Sequence, residues 1–329
     1  MRVLITGSIA TDHLMVFPGR FADQFLADRL DAVSLSFLVD TLDIRRGGVA
    51  ANICVGLARL GVDSALVGSV GHDFAEYRAF LDSEGVDTRF VHVSADRHTA
   101  RFVCTTDQVQ AQIASFYPGA MSEAGEIALR PIADRVEGAG LVLISPNDPG
   151  AMLRHTEECR DNGYPFAADP SQQLAWLPGD KIQALVRGAA LLFTNEYEAD
   201  LLLSKTGWTR DDVLSQVGRW VTTLGEKGVR IDSADGVSVQ VAAATVLDPV
   251  DPTGVGDGFR SGFIAGLQWG LGYERAAQTG CALASFVLEV AGPQEYRLDP
   301  AVLLERIRDT YGPDAAADVA PHLPRGGWR

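Results

Sequence analysis

The chain of 329 residues is 47% hydrophobic and 22% charged, a globular composition that excludes a fibrous or intrinsically disordered protein. A formal net charge of −15 argues against a general nucleic-acid binder, so an acidic chain that handles phosphates must gather them with helix N-termini, backbone amides and metal ions. Cys54, Cys104, Cys159 and Cys281 lie far apart without CxxC spacing, and no apolar run reaches the length of a membrane span. Together with an N-terminus (MRVLITGS) that lacks the features of a secretion signal, this leads us to expect a cytoplasmic protein with no membrane or nucleic-acid partner.

The first strand is VLIT (Val3 to Thr6), followed by Gly7. A dinucleotide fingerprint needs G-x-G-x-x-G, and the next glycine is Gly19, so that reading fails. Just beyond the strand stands Asp12, either a turn aspartate or a carboxylate for two vicinal sugar hydroxyls. Residues 13–44 break the rhythm, and SLSFLV (Ser34 to Val39) alternates as a strand with one polar face. Next comes RRGGVAAN, whose paired glycines let backbone approach a ligand or a neighbouring sheet closely, with Asn52 on the first turn of a helix. Strand SALVGSV and helix DFAEYRAFLDSEG follow, then a second break at 98–116 that holds the strands ARFVCTT and AQIASF.

Beyond it, LVLIS, FAAD, ALLFTN and WVTTLG read as buried strands, with the helix AMLRHTEECRDNG after the first. This alternation predicts an α/β fold, a mostly parallel central sheet with helices on both faces and ligands beyond the strand carboxyl ends. The two breaks predict a small β lid, giving a large domain of 1–12, 45–97 and 117–329 and a lid of 13–44 and 98–116. The Ala-, Gly- and Pro-rich tail GPDAAADVAPHLPRGGWR is expected to be poorly ordered near its end.

Three late motifs carry chemistry. Asn195 and Glu198 in TNEYEADLLL have the spacing of a capping box, and also suit Mg²⁺ held through water. TLGEKG is a hairpin turn or a device that presents Thr223, Gly225 and Gly228 to phosphates; it is not a P-loop, because GKS and GKT are absent. In DPTGVGDGFRSGF the amides of Gly254, Val255 and Gly256 at a helix start favour an anion, and Asp257 is either an aspartate favoured by the helix dipole or, if those amides hold the γ-phosphate of a nucleotide, the carboxylate that faces an incoming hydroxyl. A helix start alone lowers the pKa of that aspartate, which would make it an orienter first and a base second.

The order and spacing of GG, N-x-x-E and D-x-T-G-x-G-D resemble the ribokinase-like (PfkB) carbohydrate and nucleoside kinases along nearly the whole chain. Within the family, GSIATDHLM, VSLSFLV, QIASFYPGAMSEA, FAADPSQQL and LFTNEYE resemble the bacterial adenosine kinases. The resemblance implies transfer of a phosphoryl group from ATP to the ribose 5′-hydroxyl of adenosine in purine salvage, with Mg²⁺ and activation by K⁺. It implies Asp257 as base, Asp12, Gly48 and Asn52 on the sugar, and Asn195, Glu198, Thr223, Gly225, Gly228 and Gly256 on ATP and its metal. Asp251 is implied at a monovalent cation site, Phe102 and Phe116 as stacking platforms for a purine, and Ser8, Ser36, Gln172 and Gln173 as readers of base or ribose edges. A dimer through the lid is also expected. Pro252 and Val255 depart from the usual residues, yet proline removes an N–H only at the loop entrance and valine retains its amide. Two alternatives remain open: a kinase of another ribonucleoside or of a free sugar such as ribose or fructose, and a nucleoside-binding protein without catalysis.

Overall fold

The structure, a computed structural model, describes residues 2–24, 36–136 and 138–324. Nine strands form one sheet: β1 (Arg2–Thr6), β4 (Ser64–Val70), β5 (Val91–Val93), β8 (Ala139–Ile144), β9 (Phe166–Ala168), β10 (Leu191–Asn195), β11 (Arg219–Thr223), β12 (Val229–Asp232) and β13 (Ser238–Val241). Their order is β13-β12-β11-β10-β9-β8-β1-β4-β5, parallel from β11 to β5 and antiparallel in the first two pairings, β13 with β12 and β12 with β11. β1 lies between β4 and β8, so successive strands leave it in opposite directions. A crevice opens at the strand ends there.

Parallel strands are buried on both faces, and the run VLI shows it: Val3 and Ile5 enter one core cluster and Leu4 the other. Full burial of each such side chain stabilises the fold by about 1.5–3 kcal/mol. The first cluster packs under α1 (Val49–Arg59), α2 (Ala75–Ser83), α8 (Val255–Gln268), α9 (Tyr273–Leu288), α10 (Pro300–Tyr311) and α11 (Pro313–Val319). The second packs under α3 (Arg130–Arg135), α4 (Pro149–Asn162), α5 (Gly179–Val186), α6 (Glu196–Thr206) and α7 (Arg210–Gln216). Helices α8 and α9 approach closely because glycines line their contact: a Cβ at Gly262 would lie 2.6 Å from the Thr279 carbonyl oxygen. This contact fixes where α8 begins.

A second sheet, in the order β3-β2-β6-β7, is built from β2 (Ala10–Val16), β3 (Thr41–Gly47), β6 (Ala100–Thr106) and β7 (Gln112–Tyr117). ARFVCTT and AQIASF fall on β6 and β7, but SLSFLV does not fall on a strand: Ser36 to Val39 have no regular structure, and Ser34 and Leu35 lie outside the described residues. The strand is instead TLDIRRG, whose alternation is hidden by its charges. Strands β12 and β13 also escaped the sequence reading, because SVQV is short and polar. The start of the tail is ordered, α11 burying Ala315, Ala316 and Val319 against the core, while the end to which the expectation of poor order applied, residues 325–329, lies outside the described residues.

Candidate active site

The first turn of α8 stands between two cavities. One, of about 540 Å³, is walled by the carboxyl ends of β1, β8 and β9, the small sheet, and Thr253, Gly254 and Asp257. The other, of about 320 Å³, lies beyond Pro252, Val255 and Gly256 and is lined chiefly by apolar groups of α8, α9 and the β11–β12 turn. The helix begins where it does because Gly254 adopts φ +78°, open to glycine at little cost, and packs on Pro293, which a Cβ would approach to 2.3 Å. The Val255 amide donates back to the Pro252 carbonyl at 3.3 Å, so its role in an anion hole is weaker than its position suggested. The Gly254, Gly256 and Asp257 amides have no acceptor among the described residues, as a helix start leaves them.

Asp257 is oriented by a chain of hydrogen bonds with one consistent polarity. Tyr77 donates its hydroxyl to the Gly47 carbonyl, Gln294 Nε2 donates to that hydroxyl and to Asn52 Oδ1, and Asn52 Nδ2 then donates to Asp257 Oδ2 at 2.8 Å. Asp257 Oδ1 has no partner among the described residues, and is the oxygen available to a ligand. Burial pushes the Asp257 carboxyl up to about 7, although the Asn52 bond and the Arg260 charge pull it down. The helix-start argument therefore gave the wrong direction: withdrawal from water outweighs the dipole of one helix turn. At neutral pH this carboxylate is a competent base.

In the small sheet, cross-strand register places Arg45, Asp12, Phe102 and Phe116 in one row, one residue from each strand. Asp12, Phe102 and Phe116 line the larger cavity, with Phe116 half exposed. Burial raises the Asp12 carboxyl to about 6, opposed by Arg45 and reinforced by Asp251. Gly48, at φ +94°, starts α1 so close to the first strand that a Cβ would meet the Ser8 carbonyl oxygen at 2.6 Å. Ser8 in turn caps that turn, its hydroxyl accepting the Val49 amide at 3.0 Å. Ser8, Gly48, Asn52, Gln172 and Gln173 all line the same cavity, whereas Ser36 is exposed and does not.

Thr223, Gly225, Gly228 and Gly256 line the second cavity, and TLGEKG is also a hairpin between β11 and β12. Asn195 and Glu198 form a reciprocal capping box at the start of α6, at 2.8 and 2.7 Å, and the second Glu198 oxygen accepts the Ser171 hydroxyl. Neither residue lines either of these two cavities, but the Glu198 charge acts on Asp257, Asp169 and Arg260, which places it beside the α8 start. Among the described residues no group of three or more His, Cys, Asp or Glu is placed to hold a metal ion. Asp251, expected at a monovalent cation site, accepts the Thr253 and Gly292 amides and the Arg45 guanidinium.

Two features had been missed. Asn147 lies three residues past β8, is 2% exposed, and lines the larger cavity with an amide Nδ2 that has no partner among the described residues; a polar residue shortly after a buried strand was its only signal. Asp169 and Arg260 form a buried ion pair at 2.6 Å, and Arg260 also donates to the Gly256 carbonyl at 3.0 Å. Its signal was an arginine at a helix position the pattern requires to be buried.

The family model described as pfkB family carbohydrate kinase matches residues 8–299, and the chain belongs to that family. It is 32% identical to a nucleoside kinase of Methanothermobacter thermautotrophicus over 81% of this chain and 85% of that protein. Its structure superposes on that of a Burkholderia thailandensis nucleoside kinase in complex with inosine with a TM-score of 0.82, at 33% identity over 94% and 98% of the two chains. The Methanocaldococcus jannaschii nucleoside kinase, an archaeal member of the ribokinase family, gives a TM-score of 0.82 at 25% identity over 94% and 99%. The fold is ribokinase-like, with the small sheet as its lid. Among the described residues no helix is long and apolar enough to cross a membrane.

Proposed function

We propose that this chain is an ATP-dependent nucleoside kinase that transfers the γ-phosphoryl group to the ribose 5′-hydroxyl of adenosine, giving AMP and ADP as in purine salvage. The observation that carries the reading is the placement of Asp257 and the unpaired amides of α8 between two cavities of different character. An apolar slot beyond Gly256 suits the adenine of ATP, and the larger cavity suits an acceptor whose hydroxyl meets Asp257 Oδ1. Asp257 takes the proton as the phosphorus–oxygen bond to the acceptor forms and that to ADP breaks, while the amides of Gly254 and Gly256 hold the transferring group. Glu198 and Asn195 would hold Mg²⁺ through water, and the ion would supply neutralisation of the phosphate charge.

Asp12 and Asn52 suit the vicinal hydroxyls of a ribose, and the row that Asp12 shares with Phe102 and Phe116 extends past the sugar to where a base would lie. Base–aromatic stacking is worth about 1–3 kcal/mol, so Phe102→Ala or Phe116→Ala is expected to raise the KM for adenosine roughly 5- to 160-fold and leave that for ATP unchanged. Asn147→Ala is expected to act the same way by about tenfold, the worth of one well-placed hydrogen bond. Equal effects on both substrates in steady-state kinetics would make these side chains lid packing. The comparison that tests the acceptor class is ADP release from Mg-ATP with adenosine, inosine, guanosine, ribose or fructose. Strong preference for ribonucleosides over the sugars is expected; preference for a bare sugar would overturn the account of the phenylalanines.

We further propose a homodimer through the lid. Leu42, Ile44 and Ile113 stand exposed on the small sheet, an apolar face that monomers seldom leave bare. Ile44→Lys is expected to convert a dimer to a monomer in light scattering; a wild-type monomer would sink this proposal.

A further inference from the structure

The family resemblance implies a monovalent cation at Asp251, but the residues around that carboxylate do not fit one. Asp251 Oδ1 accepts the Thr253 amide at 2.9 Å, and Oδ2 accepts both the Gly292 amide at 3.0 Å and Arg45 Nη1 at 3.3 Å. A potassium ion there would face a guanidinium instead of a shell of oxygens, and like charges at that separation repel. Arg45 is held in place from its other side, where Nε donates to Asp43 Oδ2 at 2.6 Å.

Its surroundings connect it to the anion hole. Gly292 packs on the Arg45 stem, so that a Cβ there would lie 3.2 Å from Arg45 Cδ, and the next residue, Pro293, is the one against which Gly254 sits. The Asp251 amide, on the other loop of the hole, is tied to the Leu288 carbonyl just ahead of Gly292. One guanidinium therefore neutralises Asp251 and braces both loops that shape the α8 start. Because Arg45 stands on β3 in register with Asp12, this cation belongs to the same strand pair that carries the acceptor-facing carboxylate.

We propose that Arg45 is a positioning residue that replaces the monovalent cation, so that the protein works without K⁺ and its anion hole is set by the lid strand. The proposal rests on the kinase reading for its activity arm only. The test uses full-length wild type, Arg45→Ala and Arg45→Lys, in potassium chloride or tetramethylammonium chloride at equal ionic strength. Turnover with Mg-ATP and a nucleoside is read beside the melting temperature of the protein alone.

Wild type is expected to be indifferent to the cation in both readouts. Arg45→Ala should lose about tenfold or more in kcat in tetramethylammonium, with K⁺ restoring most of it and raising its melting temperature; Arg45→Lys should keep most activity without a K⁺ response. Activation of wild type by K⁺ of about threefold or more would overturn the proposal. So would an Arg45→Ala protein that K⁺ changes in neither readout, whether it is active or not. If wild type phosphorylates no nucleoside in either salt, the proposed function fails, and the melting temperatures still decide the role of Arg45.

Discussion

Asp257→Asn is expected to lower kcat at least about 10²-fold while the KM for the nucleoside changes little. The amide keeps the shape and can still meet Asn52, but it removes the one oxygen placed to accept the acceptor's proton. Because burial holds the carboxyl up at about 7, the wild-type profile carries its own signature. A base acts only when deprotonated, so kcat/KM, which reports the free enzyme, should fall as pH drops through about 7 and level off above it. Measured turnover of the variant near that of wild type would remove Asp257 from this role, and an acid limb confined to pH near 4, the ordinary range of an aspartate, would mean that the site is wetter than its geometry shows.

Asp169→Ala is expected to destabilise the fold by about 3–5 kcal/mol, the cost typical of leaving one partner of a buried ion pair unpaired. Arg260 is 6% exposed and Asp169 1%, so neither finds water when the other is removed. The pair joins the end of β9 to the second turn of α8, and its loss should also loosen the Gly256 carbonyl that Arg260 holds. The double variant Asp169→Leu, Arg260→Met should recover most of the loss, because no charge then remains buried. Urea denaturation midpoints of the two proteins check this. A loss below about 1 kcal/mol for the single variant would show that the pair is solvated in solution. In the double variant the acid limb of the rate profile should move to higher pH, since both charges are gone and the Arg260 charge that lowers Asp257 acts on it more strongly than the Asp169 charge that raises it.

What the sequence disclosed depended on how local the cause was. Buried parallel strands announce themselves as apolar runs, so VLIT, SALVGSV and ALLFTN fell where the structure puts them. Helix-start chemistry is equally local, and the GVGD turn and the N-x-x-E capping box were legible from their spacing. Strand β3 was not, because Asp43, Arg45 and Arg46 are charged for reasons that lie elsewhere: Arg45 meets Asp251 and Arg46 meets Glu295, both more than two hundred residues away. The apolar alternation of SLSFLV was the stronger local signal and the wrong one. The Asp257 shift failed for a related reason. The helix dipole is visible in one turn of sequence, whereas burial is set by Asn52, Gln294 and the cavity walls, which only folding assembles.

The central claim is that a nucleoside 5′-hydroxyl reaches Asp257 while ATP lies across the α8 start. Its most direct test is phosphorus NMR of the products of Mg-ATP and adenosine, run beside 5′-deoxyadenosine, which lacks only the acceptor oxygen. We expect AMP and ADP in equal amounts from adenosine, and from 5′-deoxyadenosine no phosphorylated nucleoside but competitive inhibition of the adenosine reaction. Phosphorylation of 5′-deoxyadenosine at its 2′- or 3′-hydroxyl, or ADP formed without any phosphorylated acceptor, would contradict it.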